Sequence, residues 1–304
     1  MNTERAKNVL IALLSVIALT LSVLIFVTEG RYTLTAGQEA DIISVLQRDD
    51  IHLRDDVSLL RDFHPARQMV MRRYSYDAEA LATLAARFFG DDGFAMEIDY
   101  PDAYSFAHPN HPEGMMMTYL SWTNIITFAM PQGISNEAFL TMANERAAEL
   151  LATQYIESLI GMPPNMQHYS TAISYHGNWV VDFFSVYRNF VLQNDHIRVH
   201  VSEDGIIRIE YSRVEYDGFL GDARNIFPPN EALMALMNHL RIVMMAEGSI
   251  MINDMRLSYF LAEEGGESAG IPAYVFAVYM GGNMRWNYIF NAYTNELLHV
   301  ETSP

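Results

Sequence analysis

The chain contains no cysteine, and Lys7 is its only lysine. Without thiols there are no disulfides, no thiolate metal sites and no lipid-modified cysteine anchor, so stability must come from burial. Positive charge is scarce: 19 basic residues face 37 acidic ones, for a formal net charge of −18. Such a balance argues against recognition of nucleic acid or anionic lipid headgroups by bulk charge. The acids are spread along the chain, as on a solvated surface, rather than gathered in an interaction tail. Also missing are a phosphate-binding loop, a dinucleotide-binding glycine pattern and a basic stripe with interleaved aromatics.

What is present begins at the N-terminus. Val9 to Val27 carries no charged side chain, and Arg5 and Lys7 precede it. As a helix this run spans roughly 28 Å, about the hydrocarbon thickness of a bilayer. It is longer than the apolar core of a cleaved signal peptide, and Phe26-Val27-Thr28-Glu29-Gly30 offers no small-x-small cleavage site. The basic residues before the run outweigh Glu4, while Glu29 and Arg31 after it cancel. The expected protein is single-pass in the cell membrane, with residues 1–8 cytoplasmic, 9–27 transmembrane and the remainder extracytoplasmic.

Downstream, Thr35 to Gln47 reads as a short helix, and then one pattern recurs three times: a helix followed by several strands. The first helix has Asp77 as N-cap, Leu81, Leu84, Ala85 and Phe88 at helical spacing, and Gly90 as its stop. The second opens at Ser135-Asn136 and ends before Gly161; the third follows Pro228-Pro229, with Leu233, Leu236, Met237 and Leu240 on one face. The 19 methionines, Met234, Met237 and Met244 among them, read as packing residues. The clearest strands are 197–211, where Ile197, Val199 and Val201 alternate with Arg198 and His200 up to an Asp204-Gly205 turn. This alternation predicts a half-buried hairpin with one wet face. The expected fold class is α+β, with repeated helix-plus-antiparallel-sheet units behind a single transmembrane helix. The expected divisions are 31–134 and 135–304, the latter split into 135–227 and 228–304, with a soft boundary near Pro131–Ser135.

Few motifs carry chemistry. Gly266-Glu267-Ser268-Ala269-Gly270 matches a nucleophile elbow, yet a strand follows it where the elbow needs a helix, so it reads as a loop. His108, His111 and Glu113 form a compact group with metal-ligand chemistry, but Pro109 and Pro112 interrupt it, and an exposed polar connection is expected. Asp91-Asp92 and Glu263-Glu264 are neighbours in turns and do not face each other as catalytic carboxylates must. Trp122, Trp179 and Trp286 sit in strand-like stretches and read as sheet packing. No catalytic residue, metal or cofactor is expected.

Several segments together carry a resemblance. Glu4-Arg5-Ala6-Lys7-Asn8-Val9-Leu10-Ile11 leads into the apolar run; Ile42-Ile43-Ser44-Val45-Leu46, Asp50-Ile51-His52-Leu53, Tyr175-His176-Gly177-Asn178-Trp179 and Asn291-Ala292-Tyr293-Thr294-Asn295-Glu296-Leu297-Leu298 follow. In layout the chain resembles the YycI family, membrane-anchored regulators of the WalK/WalR (YycG/YycF) two-component system of Gram-positive bacteria, related to YycH. The resemblance implies a regulator without catalysis that associates with a sensor histidine kinase and a YycH-like partner in cell-envelope homeostasis. It points to the membrane segment as the kinase-contacting element. There Ala12, Ser15, Ala18, Thr20 and Ser22 are the small or polar residues that permit close helix approach. The closing Ala292-x-Thr294-x-Glu296 also resembles the end of PepSY-type domains, in which glycine commonly stands at the position of Asn295. That likeness implies an alternative, an anchored extracytoplasmic module that restrains a protease or binds a cell-wall component.

Overall fold

The computed structural model describes residues 32–33, 35–54, 57, 59, 62–90, 93–100, 103–109, 114–141, 144–174, 177–243, 249–264, 267–280 and 284–303. The apolar run 9–27, with Ala12, Ser15, Ala18, Thr20 and Ser22, lies outside the described residues.

The chain begins with β1 (Tyr32–Thr33), α1 (Ala36–Arg48), β2 (Ile51–Leu53), β3 (Asp62–Phe63) and β4 (Ala66–Arg73). Next come α2 (Ala78–Phe89), β5 (Ala95–Tyr100), β6 (Ala103–Ala107), β7 (Met116–Leu120) and β8 (Ile125–Ile134). A helical pair, α3 (Glu137–Thr141) and α4 (Glu145–Leu159), precedes β9 (Met166–Ile173), β10 (Trp179–Tyr187), β11 (Phe190–Ser202), β12 (Gly205–Ser212) and β13 (Val214–Arg224). Last are α5 (Pro229–Val243), β14 (Ile250–Glu264), β15 (Glu267–Met280), β16 (Met284–Asn291) and β17 (Leu297–Ser303).

Local chemistry sets the helix ends. Thr35 and Gln38 close a reciprocal capping box on α1. The Ala80 N–H donates to Asp77 Oδ1 at 2.8 Å, and Gly90 ends α2 in the left-handed region at φ 83°. The single helix expected after Ser135 is two, because Asn136 accepts from the Phe139 N–H and Asn144 then caps a second start at Glu145 by accepting from the Ala147 N–H. Pro229 opens α5, where its missing N–H costs no hydrogen bond.

Two large apolar cores hold the helices, beside two smaller buried clusters. Leu81, Ala85 and Phe88 of α2 and Ala148, Leu151 and Ile156 of α4 pack on Phe106, Phe128, Phe183 and Val199 of the sheet. Leu46 of α1 and Leu233, Leu236, Met237 and Leu240 of α5 pack on Tyr274, Phe276, Val278 and Phe290. Each fully buried aliphatic side chain contributes about 1.5–3 kcal/mol, so each helix is held mainly by its apolar face.

The expected class, α+β with repeated helix-plus-antiparallel-sheet units, is overturned. Strands dominate, and β2 and β4–β17 form one 15-stranded mixed sheet. β5–β8 and β9–β12 are antiparallel meanders, but β8 pairs β12, so their edges merge. β14–β17 form a third meander, and β14 also takes β2 and β11 in parallel register. Free edges invite pairing, and here neighbouring meanders satisfy one another's backbone groups. Among the described residues no helix is long and apolar enough to cross a membrane.

Candidate functional site between the two halves of the sheet

Strand alternation places Ile197, Val199 and Val201 of β11 in the first core and turns His196, Arg198 and His200 the other way. That second face is not wet. Arg198 is 2% exposed, because β16 and β17 of the other half cover it. The sheet doubles back on itself, with helices on its two outer faces and a charged layer between its halves.

The layer is a network of pairs, to which Ser170 Oγ also donates, at 3.3 Å from Asp182 Oδ2. Arg198 Nε donates to Asp182 Oδ1 and its Nη1 to Glu301 Oε1, both at 2.7 Å. Arg285 Nη1 donates to Asp182 Oδ2 at 3.2 Å, and Asn287 Nδ2 to Glu301 Oε2 at 3.1 Å. Two carboxylates thus meet two guanidiniums, a neutral set that offsets the cost of desolvating each charge. Burial alone would raise the Asp182 carboxyl, but Arg198 and Arg285 outweigh it and hold it low. Glu301 behaves alike: burial pushes it up, and Arg198, His196 and Asn287 bring it well below the carboxylate range. His200 is different: burial dominates and pushes its imidazole down to about 4, so it is neutral at pH 7.

Beside this layer opens a cleft of ≈ 440 Å³ lined by Tyr169, Ser170, Asn253, Asp254, Tyr279 and Arg285, among others. Tyr169 donates its hydroxyl proton to Asp254 Oδ2 at 2.9 Å, and the Arg256 guanidinium, ion-paired to Asp254, lies 4.5 Å from the centre of the Tyr169 ring. Burial pushes the Tyr169 hydroxyl up to about 12, so it stays a proton donor at neutral pH. Asp254 accepts from both neighbours through Oδ2. The arrangement is suited to holding hydrogen-bonding groups.

The residues singled out from sequence fall elsewhere. Ser268 stands on β15 opposite Glu263 of β14, in a strand hairpin rather than a loop or an elbow. The glycine that completes its motif, Gly270, pairs with Met69 of β4, and a Cβ there would overlap the Met71 side chain. His108 is buried, 5% exposed, against the Phe89 ring, which corrects the expected exposed connection; His111 and Glu113 lie outside the described residues. No group of three or more potential metal ligands occurs among the described residues. Trp122 is not sheet packing: it sits in the turn after β7, 53% exposed, while Trp179 and Trp286 pack against the two cores. Met234 is exposed, whereas Met237 is buried. Sequence reasoning passed over Asp182, Arg285 and Glu301. The available signal was Asp182, the single charged residue in the apolar run Trp179-Val180-Val181-Asp182-Phe183-Phe184.

No protein-family model matches the chain, and no curated protein matches it. Among solved structures it is similar to an uncharacterized protein from Eubacterium rectale ATCC 33656, with TM-score 0.51 at 12% identity over 83% of this chain and 92% of that one. That likeness is one of fold. The Bacillus megaterium YpeB C-terminal domain aligns at TM-score 0.37 and 12% identity, over 77% of this chain and 99% of that one.

Proposed function

We propose that the chain is a non-catalytic, membrane-anchored regulator that works by binding. It associates through residues 9–27 with a sensor histidine kinase of the WalK type and a YycH-like partner, and it modulates two-component signalling in envelope homeostasis. The observation that carries the non-catalytic reading is the mutual pairing of Asp182, Arg198, Arg285 and Glu301, which leaves these clustered charges without a free acid or base. The anchor reading is supported by the uncharged run Val9 to Val27 behind Arg5 and Lys7. In this mechanism the charge layer joins the two halves, so a partner bound outside shifts the packing of the anchor against the kinase. Affinity purification of the full chain from membranes should recover the kinase. Kinase output that is the same with and without the chain would rule the regulator out. Replacing residues 9–27 by an unrelated anchor should abolish the effect while the rest of the chain stays folded.

A second reading, an anchored module that restrains an exported protease or binds a cell-wall component, is favoured by one detail. Asn295 adopts φ 61°, the left-handed region, at the position where the PepSY-type closing pattern commonly has glycine. Inhibition of an exported protease by the purified chain supports this reading; unchanged proteolysis counts against it.

A further inference from the structure

In a chain of net charge −18, one groove is lined by cations and aromatics with no carboxylate. It has a volume of ≈ 660 Å³ and runs between the start of β4, the β10–β11 turn, β13 and β14. Phe190, Phe219 and Tyr259 supply aromatic surface, and Arg67, Arg188 and Arg256 supply the charge. Arg256 is committed to Asp254 and Gln193. Arg67 and Arg188 are exposed, and neither has a carboxylate partner among the described residues.

Arg188 is held there by the backbone. With Asn189 it makes the two-residue turn between β10 and β11, at φ 48° and 71°, a conformation in which arginine is uncommon. Its guanidinium lies 5.5 Å from the centres of both the Tyr187 and Phe219 rings. Phe219 sits where the pairing of β13 with β4 shifts register, a break that re-aims a side chain. Beyond β4 no other strand pairs with β13 among the described residues; Phe219, Leu220 and Arg224 pair with β4, and the main-chain groups of 217–224 directed away from β4 form a sheet edge beside the groove.

We propose that this groove binds an extended acidic peptide segment of a partner protein, carrying a bulky apolar side chain. The arginines match carboxylates, the rings match the apolar side chain, and the open edge of β13 offers main-chain hydrogen bonds. The volume exceeds what a single small anion needs and is on the scale of roughly 300–1,000 Å³ ligand sites. This proposal is independent of whether the partner is a kinase.

The test is fluorescence anisotropy with the full chain in neutral detergent and a labelled peptide of alternating aspartate and phenylalanine. The expected result is saturable binding that weakens with salt and falls at least tenfold in the Arg67→Ala/Arg188→Ala double variant, whose thermal melt is unchanged. Arg146→Ala, on a distant helix, should bind like the parent. A peptide with asparagine in place of aspartate should bind at least tenfold more weakly. The proposal is overturned if the asparagine peptide binds equally, if the double variant binds like the parent, or if neither peptide binds. It is also overturned if soluble dioctanoyl phosphatidylglycerol, and not the acidic peptide, shows the dependence on Arg67 and Arg188.

Discussion

At the scale of single residues, two buried titrating groups oppose each other. His200 is 6% exposed; burial lowers its pKa from 6.5 to about 4, with Glu210 raising it and Arg198 and Arg208 lowering it further. Its folded pKa lies below the unfolded one, so its stabilising contribution is present above pH 6.5 and is lost as pH falls towards 4. Asp195 is 5% exposed; burial raises its pKa from 3.8 to about 6 against the Ser185 hydrogen bond and the Arg213 charge. Its folded pKa lies above the unfolded one, so its contribution is present below pH 3.8 and is lost as pH rises through 6. Between pH 7 and 5 His200 removes about 2 kcal/mol and Asp195 returns about 1 kcal/mol. His196, likewise held low by burial and by the Arg198 charge, adds to the loss as pH falls, so the parent chain should weaken from pH 7 to 5 and Asp195→Asn should weaken by about 1 kcal/mol more. Urea unfolding at the two pH values measures both; a parent and variant of equal slope would refute the assignment. Neither group stood out in the sequence, because a histidine and an aspartate in alternating strands look solvated until something covers them.

At the scale of elements, helix ends were legible and sheet joints were not. Thr35, Asp77 and Gly90 act within a few residues of their own position, so local pattern suffices. The join of β8 to β12 depends on a contact between residues about 70 apart in sequence, Ile134 with Ile206, which no local pattern encodes. Gly205 lies at that joint with φ 115°, and a Cβ there would come 2.6 Å from the Ile134 carbonyl carbon. Gly205→Ala should cost about 2–3 kcal/mol, since both backbone strain and backbone overlap oppose it. Gly37→Ala, in α1 with nothing within 4 Å of the new Cβ, should instead stabilise by ~0.5 kcal/mol. Thermal melts of the two variants should move in opposite directions.

At the scale of the whole molecule, the charged layer between the halves governs stability. Arg198→Met leaves Asp182 and Glu301 without their shared partner in a buried setting and should cost about 3–5 kcal/mol. Replacing Asp182, Arg198, Arg285 and Glu301 together by apolar residues of similar size removes every uncompensated charge. That quadruple variant should recover most of the loss, as chemical denaturation would show; equal destabilisation of the two would refute the pairing argument. By itself the sequence determined what acts over short range: the helices and their caps, the strand alternation at 197–211, and an apolar run at 9–27 of bilayer-spanning length. Only the tertiary structure decided that three meanders merge into one mixed sheet and that the face bearing Arg198 and His200 is covered. The reason is physical. An alternating strand specifies that its two faces differ, but whether the polar face meets water or opposite charge depends on Arg285 and Glu301, about a hundred residues away along the chain.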